Sequence, residues 1–198
     1  MREIQVQNLN KIKKAVPVIE NKIKIKISFG KNSVAIKGNE LNEYLTEKVI
    51  QAIDFGFNVD DALLLTNEDF VLEFIEVKEH TKRKNLHDVR ARLIGTDGKA
   101  RKTIENLTGS EIVINNNTVG LIVDSEHLDS VVQGIESLIQ GAKHGNVFSY
   151  LEKQNVSKRT LNKEDLGLKG KFADMNIDSS QDNISEDEML ELEKELDS

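Results

Sequence analysis

The chain has no cysteine, so disulfides and thiolate metal sites are both excluded. It also has no apolar run long enough to span a bilayer, and its first residues contain no signal-type apolar core. A cytoplasmic location is therefore expected. An excess of positive charge is missing as well: the formal net charge of 198 residues is −7. Hydrophobic residues make up 38% and charged residues 31%, the balance of an ordinary soluble protein. Such a length accommodates one large or two small domains.

The negative charge is not spread evenly. Residues 155–198 carry a net −6 and residues 1–154 a net −1. Within the nearly neutral part, Lys82, Arg83, Lys84, Arg90, Arg92, Lys99, Arg101 and Lys102 are opposed only by Asp88 and Asp97. That local excess suits contact with a phosphate backbone, and a solvated basic face is the plainer alternative.

In chain order, residues 2–7 read as a strand, and Ile12, Ala15, Val16 and Ile19 have helical spacing that Pro17 interrupts. Residues 22–28, KIKIKIS, alternate as a strand with Lys22, Lys24 and Lys26 outward. A turn at Gly30 leads to a second strand over 33–36. A helix follows with Leu41, Leu45, Val49, Ala52 and Ile53 on one face. The segment 57–70 is apolar, with Asp60 or Asp61 placed to cap a short helix and Asn67 the next turn. The pairs Asp60/Asp61 and Glu68/Asp69 fit capping and solvated turns better than a metal or nuclease site.

The most specific pattern is RARLIGTDGKARKTIENLTG, residues 90–109. A helix-like segment ends at Gly95-Thr96-Asp97-Gly98 and a second starts at once, stopping at Thr108-Gly109. Glycines let the backbone turn sharply and let another chain approach closely. The first-turn N–H groups of the second helix have no intrahelical partner, and the macrodipole there favours an anion. A strand-like run, 71–77, precedes this stretch. Behind it come two strands about an Asn115-Asn116-Asn117 turn and an amphipathic helix over about 125–140. The four histidines lie far apart, without ligand spacing, so no catalytic set, metal or cofactor is expected.

The order strand, helix, GxxG, helix, strand, strand, helix resembles a KH domain, the module whose GxxG loop clamps single-stranded nucleic acid. Residues 1–56 repeat a compressed version without GxxG. We therefore expect an α+β protein of two KH-like units: 1–56 degenerate, 57–70 connecting, 71–154 bearing the clamp. The tail, 155–198, is expected to be disordered over 155–184. A short helix is expected about Met189, Leu192 and Leu196, after a capping box at Ser185–Glu188.

Several phrases narrow the resemblance. ENLTGSEIVINNNTVGLIVDSEHLDSVVQGIESLIQGAKHGNVFSYLEK and EKVIQAIDFGFNVDDALLLTNEDFVLEFIEV are similar to the second unit and the inter-unit connection of the Krr/Pno family, especially its archaeal members. The likeness covers about 38–153, with His144 and Tyr150 in matching places. It implies a non-enzymatic small-subunit ribosome assembly factor that binds near the 3′ end of precursor rRNA. It further implies the rRNA 3′-end endonuclease, or other assembly or translation factors, as partners. Carried over, Gly95, Thr96, Asp97 and Gly98 form the clamp, and Arg92, Lys99, Arg101 and Lys102 contact phosphates. Leu93, Ile94, Ile104, Ile112 and Ile114 are the candidates for an apolar base groove. The chain departs from the family in having Thr96 where a basic residue is usual, and in lacking a first clamp. An adaptor for mRNA or RNA decay and a scaffold with a silent clamp remain the alternatives.

Overall fold

Arg2–Gln5 forms strand β1, and helix α1 runs over Leu9–Ile23. Strands β2 (Lys26–Phe29) and β3 (Ser33–Lys37) form a hairpin, followed by α2 (Glu40–Phe55). A short helix, α3 (Val59–Ala62), passes into a 3-10 turn at Leu63–Thr66. Then come β4 (Phe70–Glu76), α4 (Leu86–Ile94), α5 (Lys99–Thr108), β5 (Glu111–Asn115), β6 (Thr118–Asp124), α6 (Leu128–Gln140) and α7 (His144–Asp165). This computed structural model describes residues 2–165, with side chains described as far as Asn155. None of the described helices is long and apolar enough to cross a membrane.

Two sheets of three antiparallel strands lie within Met1–Ser157, ordered β1-β3-β2 and β4-β6-β5. In each the third strand in sequence is central. The first half places α1 alone where the second half has α4, the glycine loop and α5.

Three local expectations need correction. Pro17 lies inside α1 and does not end it. A proline in a helix interior costs about 3 kcal/mol. Pro17 is exposed, however, while Ile12, Ala15, Ile19 and Ile23 bury one continuous stripe that holds the helix together. The strand expected from Lys22 instead starts at Lys26, because Ile23 completes that stripe and Lys24 turns left-handed (φ 56°) to end the helix. The three lysines are exposed, as solvated groups should be. In α3 the N-cap is Asn58, so Asp60 and Asp61 sit in the first turn, where the helix dipole favours carboxylates.

Strand β6 supports both cores. Val119, Leu121 and Val123 face a core built with Val89, Leu93, Ile104, Ile135 and Leu138. Ile122, on the opposite side of the strand, joins the core of the first half with Val49, Ile50 and Ile53 of α2. Period-two alternation therefore buries both faces, which is why β6 reads as an unbroken apolar run. Gly120 permits the closest approach, since a Cβ there would lie 2.6 Å from the Phe55 ring.

Helix α7 was not anticipated. Val147 and Leu151 are buried against the second core. Its backbone is helical through Asp165, inside the segment 155–184 for which disorder was expected. The rest of that expectation, with the terminal helix and its capping box, lies outside the described residues.

Candidate nucleic-acid interface

Helix α4 is capped by Asn85, whose side chain accepts from the His87 N–H at 3.1 Å. The helix closes at Gly95, whose N–H donates to the Ala91 carbonyl at 2.8 Å. Gly95 has φ 72° and ψ 176°, Asp97 φ 53° and Gly98 φ 74°. Three positive φ values in four residues reverse the chain, and α5 begins at Lys99. Its N-cap is a glycine that offers no side chain, so no side-chain oxygen caps the first turn, although the Lys99 N–H donates to the Thr96 carbonyl.

The two glycines do different work. A Cβ on Gly95 would come within 2.7 Å of the Ala100 Cβ and 2.8 Å of its N, so this glycine lets the loop fold onto α5. A Cβ on Gly98 would meet nothing within 4 Å. The space above Gly98 is open to a ligand. Lys99 and Lys102, beside it, are exposed and make no ion pair or hydrogen bond through their side chains among the described residues. Thr96 and Asp97 are exposed too, and the Asp97 charge opposes a phosphate at this spot.

Next to the loop lies a groove of about 330 Å³ between α4 and β5. Ile94, which is 39% exposed, and Ile114 form its apolar part, and His87, Arg90, Ala91 and Asn116 complete it. Sequence reasoning had not assigned those last four to the site. Residues 87, 90, 91 and 94 follow the i, i+3, i+4, i+7 spacing of one helix face, which is the signal that would have found them. Arg90 Nη1 donates to the Asn116 carbonyl at 2.9 Å and fixes the β5–β6 turn against the helix.

Other candidates are placed elsewhere. Leu93, Ile104 and Ile112 are 3%, 2% and 4% exposed and belong to the core, leaving Ile94 and Ile114 as the groove's apolar residues. Arg92 does not project into the groove. Its guanidinium donates to the carbonyls of Gly141 (3.3 Å) and Ala142, at the C-terminal end of α6. His144 Nε2 donates to the Arg92 carbonyl at 2.9 Å, which fixes that tautomer. Tyr150 bonds Gln133 Oε1 at 2.6 Å. His144 and Tyr150 thus fasten α7 to the domain.

Arg101 is divided between roles. Its Nη1 lies 3.4 Å from the Ile112 carbonyl and its Nε 3.5 Å from Glu105 Oε1. Glu105 in turn accepts from the Ile112 N–H at 3.1 Å. The pair closes the free edge of β5 at Ile112. Ile114, two residues on, turns its N–H and C=O to the same side, beside the groove. Glu111, at the start of β5, has its carboxyl pushed above the ordinary range by burial, reinforced by Asp61 and Glu105 and opposed by Arg101.

Residues 71–156 match the profile of the second KH domain of PNO1 proteins, described as a eukaryotic-type KH domain (KH-domain type I). This part of the chain has a KH-type fold and is similar to the second KH domain of PNO1 proteins. Its strand and helix order, and the GxxG between α4 and α5, are those expected from the sequence. The "KH domain-containing protein MJ0443" of Methanocaldococcus jannaschii is 29% identical over 69% of this chain and 63% of its own length. A "Pre-rRNA-processing protein PNO1" of Candida albicans is 29% identical over 68% of this chain and 52% of its own. The match thus spans between half and two thirds of these relatives. Among solved structures, one from Pyrococcus horikoshii described as an a/eIF2alpha-aDim2p-rRNA complex is similar with a TM-score of 0.69. It is 26% identical and covers 79% of this chain and 94% of that one.

Proposed function

We propose that this chain binds single-stranded RNA at Gly95–Gly98, close to the 3′ end of small-subunit precursor rRNA, as a non-enzymatic assembly factor. The observation that carries the reading is the open space over Gly98, at an α5 start without a side-chain cap and beside Lys99 and Lys102. The phosphate backbone would pass over Gly98, with Lys99 and Lys102 neutralising charge and Arg101 adding a weaker contribution because Glu105 shares it. Bases would then lie on Ile94 and Ile114, where Ile114 offers backbone groups to their edges. The names of the relatives, one a pre-rRNA-processing protein and one crystallised with rRNA, support the choice of RNA and of ribosome assembly.

In this reading 71–154 is the clamp-bearing domain, 57–70 the connection and 1–56 a KH-like unit that has lost its clamp. The first unit contacts another protein, an endonuclease or an assembly or translation factor in the cytoplasm. Val18, Phe29, Leu41 and Tyr44, large apolar side chains from 38% to 54% exposed, favour that role for it. Residues 155–198 form an acidic extension. The test is sequencing of RNA crosslinked to the protein in cells. Enrichment at the 3′ region of small-subunit precursor rRNA is expected; enrichment of mRNA instead would contradict the assignment.

A further inference from the structure

Behind the β5–β6 turn lies a second cavity, of about 340 Å³, on the opposite face of the β4-β6-β5 sheet. Its size is that of a small-molecule site, typically about 300–1,000 Å³. We infer that this cavity receives a base of the RNA strand after it leaves the clamp groove, stacked on Phe74 and read by Gln7, Gln51 and Asn116. The inference rests on the RNA-clamp reading and extends the strand's path beyond it.

Phe74 is 40% exposed although it stands on the middle of a strand, opposite Gly120. Its ring packs against Phe55, with centroids 4.8 Å apart at 55°, and both rings line the cavity. Phe55 in turn rests over Gly120. Exposed aromatic faces of this kind are what unstacked bases bind in single-strand recognition.

The rim supplies the means of reading a base edge. The carboxamides of Gln7, Gln51 and Asn116 make no hydrogen bond among the described residues. Each presents a donor and an acceptor side by side, the pattern that pairs with a base edge. Asn115 does not compete for this task, since its side chain donates to the Phe55 carbonyl at 2.8 Å and ties the turn to the end of α2. Asp54 adds an acceptor. It already takes the N–H groups of Gln7 (2.9 Å) and Asn8 (2.6 Å), and carboxylate lone pairs remain. An acceptor of this charge favours a base with an exocyclic amino group over uracil, and keeps the phosphates outside.

Continuity supplies the occupant. Asn116 lines both the clamp groove and this cavity, so the β5–β6 turn is a ridge over which one strand passes from the first to the second. Arg90 clamps that ridge through the Asn116 carbonyl.

The test measures affinity of the full chain, wild type and variant, for a tetranucleotide of the length a KH loop clamps and for the same RNA extended at either end. Phe74→Ala should weaken the extended strand by roughly 5- to 150-fold, the effect of losing one base stack, and leave the tetranucleotide unchanged. Gln51→Ala, on an exposed helix position, should weaken the extended strand in the same selective way without lowering the melting temperature. A cytosine or adenine extension should bind more tightly than a uracil one. Unchanged affinity of the extended strand in both variants overturns the inference, as does an equal loss for both RNAs. Gly98→Asp keeps the two readings apart. If it leaves the tetranucleotide unaffected, the clamp itself fails; if it weakens both RNAs while Phe74→Ala weakens neither, the clamp stands and the second base site falls.

Discussion

The Cβ that Gly95 lacks would sit 2.7 Å from the Cβ of Ala100, whereas Gly98, between the two in sequence, faces open space. One glycine closes the loop onto its own helix, and the other leaves room for something else. Substitutions at the two positions should therefore separate folding from binding.

Gly95→Ala forces a side chain into the α5 backbone at a φ of 72° that L-residues rarely adopt. Strain and overpacking each cost about 1–3 kcal/mol. Chemical denaturation should find the variant less stable by at least about 2 kcal/mol. Gly98→Ala meets no neighbour, and its left-handed backbone alone should cost about 1 kcal/mol.

Arg92 fastens α4 to the end of α6, so its loss should be felt in stability. Hydrogen bonds to charged groups contribute about 1.5–3 kcal/mol. Arg92→Ala should destabilise by about that amount in thermal or denaturant unfolding. The slope of RNA affinity against salt should stay unchanged, because the guanidinium is turned to the Gly141 and Ala142 carbonyls.

Lys99 and Lys102 are the opposite case. Each phosphate neutralised on a single strand contributes about −0.7 to the slope of log affinity against log salt. Replacing both lysines with alanine should flatten that slope by about 1.4 and leave the unfolding midpoint nearly constant. An unaltered slope would mean that the backbone runs elsewhere.

Glu111 gives a pH dependence. Its carboxyl is raised by burial first, then by Asp61 and Glu105, so the ionised form is the disfavoured one in the folded state. A raised carboxylate pKa destabilises the fold above that pKa, and the penalty disappears below the unfolded value of about 4.3. Glu111→Gln should therefore raise the melting temperature slightly at neutral pH and not at about pH 3, where wild type carries no charge there either. Calorimetry across that range checks both halves of the statement.

Most of the chain from β4 to α6 was legible because its signals agree locally. The glycine pair, the Thr108-Gly109 stop and the strand alternation all depend on neighbours in sequence. What was missed depends on distant contacts. The family resemblance offers Leu93 and Ile112 as groove residues, yet α4 packs Leu93 toward α6 and β5 packs Ile112 toward α5. Arg92 belongs to a basic cluster in sequence, yet its partners lie about fifty residues away. The KIKIKIS alternation hid a boundary because Ile23 serves equally as the last buried position of a helix or the first of a strand. Phe74, by contrast, sits in an apolar run that gives no hint that its ring is left exposed.

The most direct measurement follows backbone amide resonances of the full chain as a short single-stranded RNA is added. The amides of Gly98, Lys99 and Ala100, with the methyl groups of Ile94 and Ile114, should move most and saturate together. If those signals stay in place while another surface responds, or if nothing responds at low salt, the cradle over Gly98 is not where this protein holds RNA.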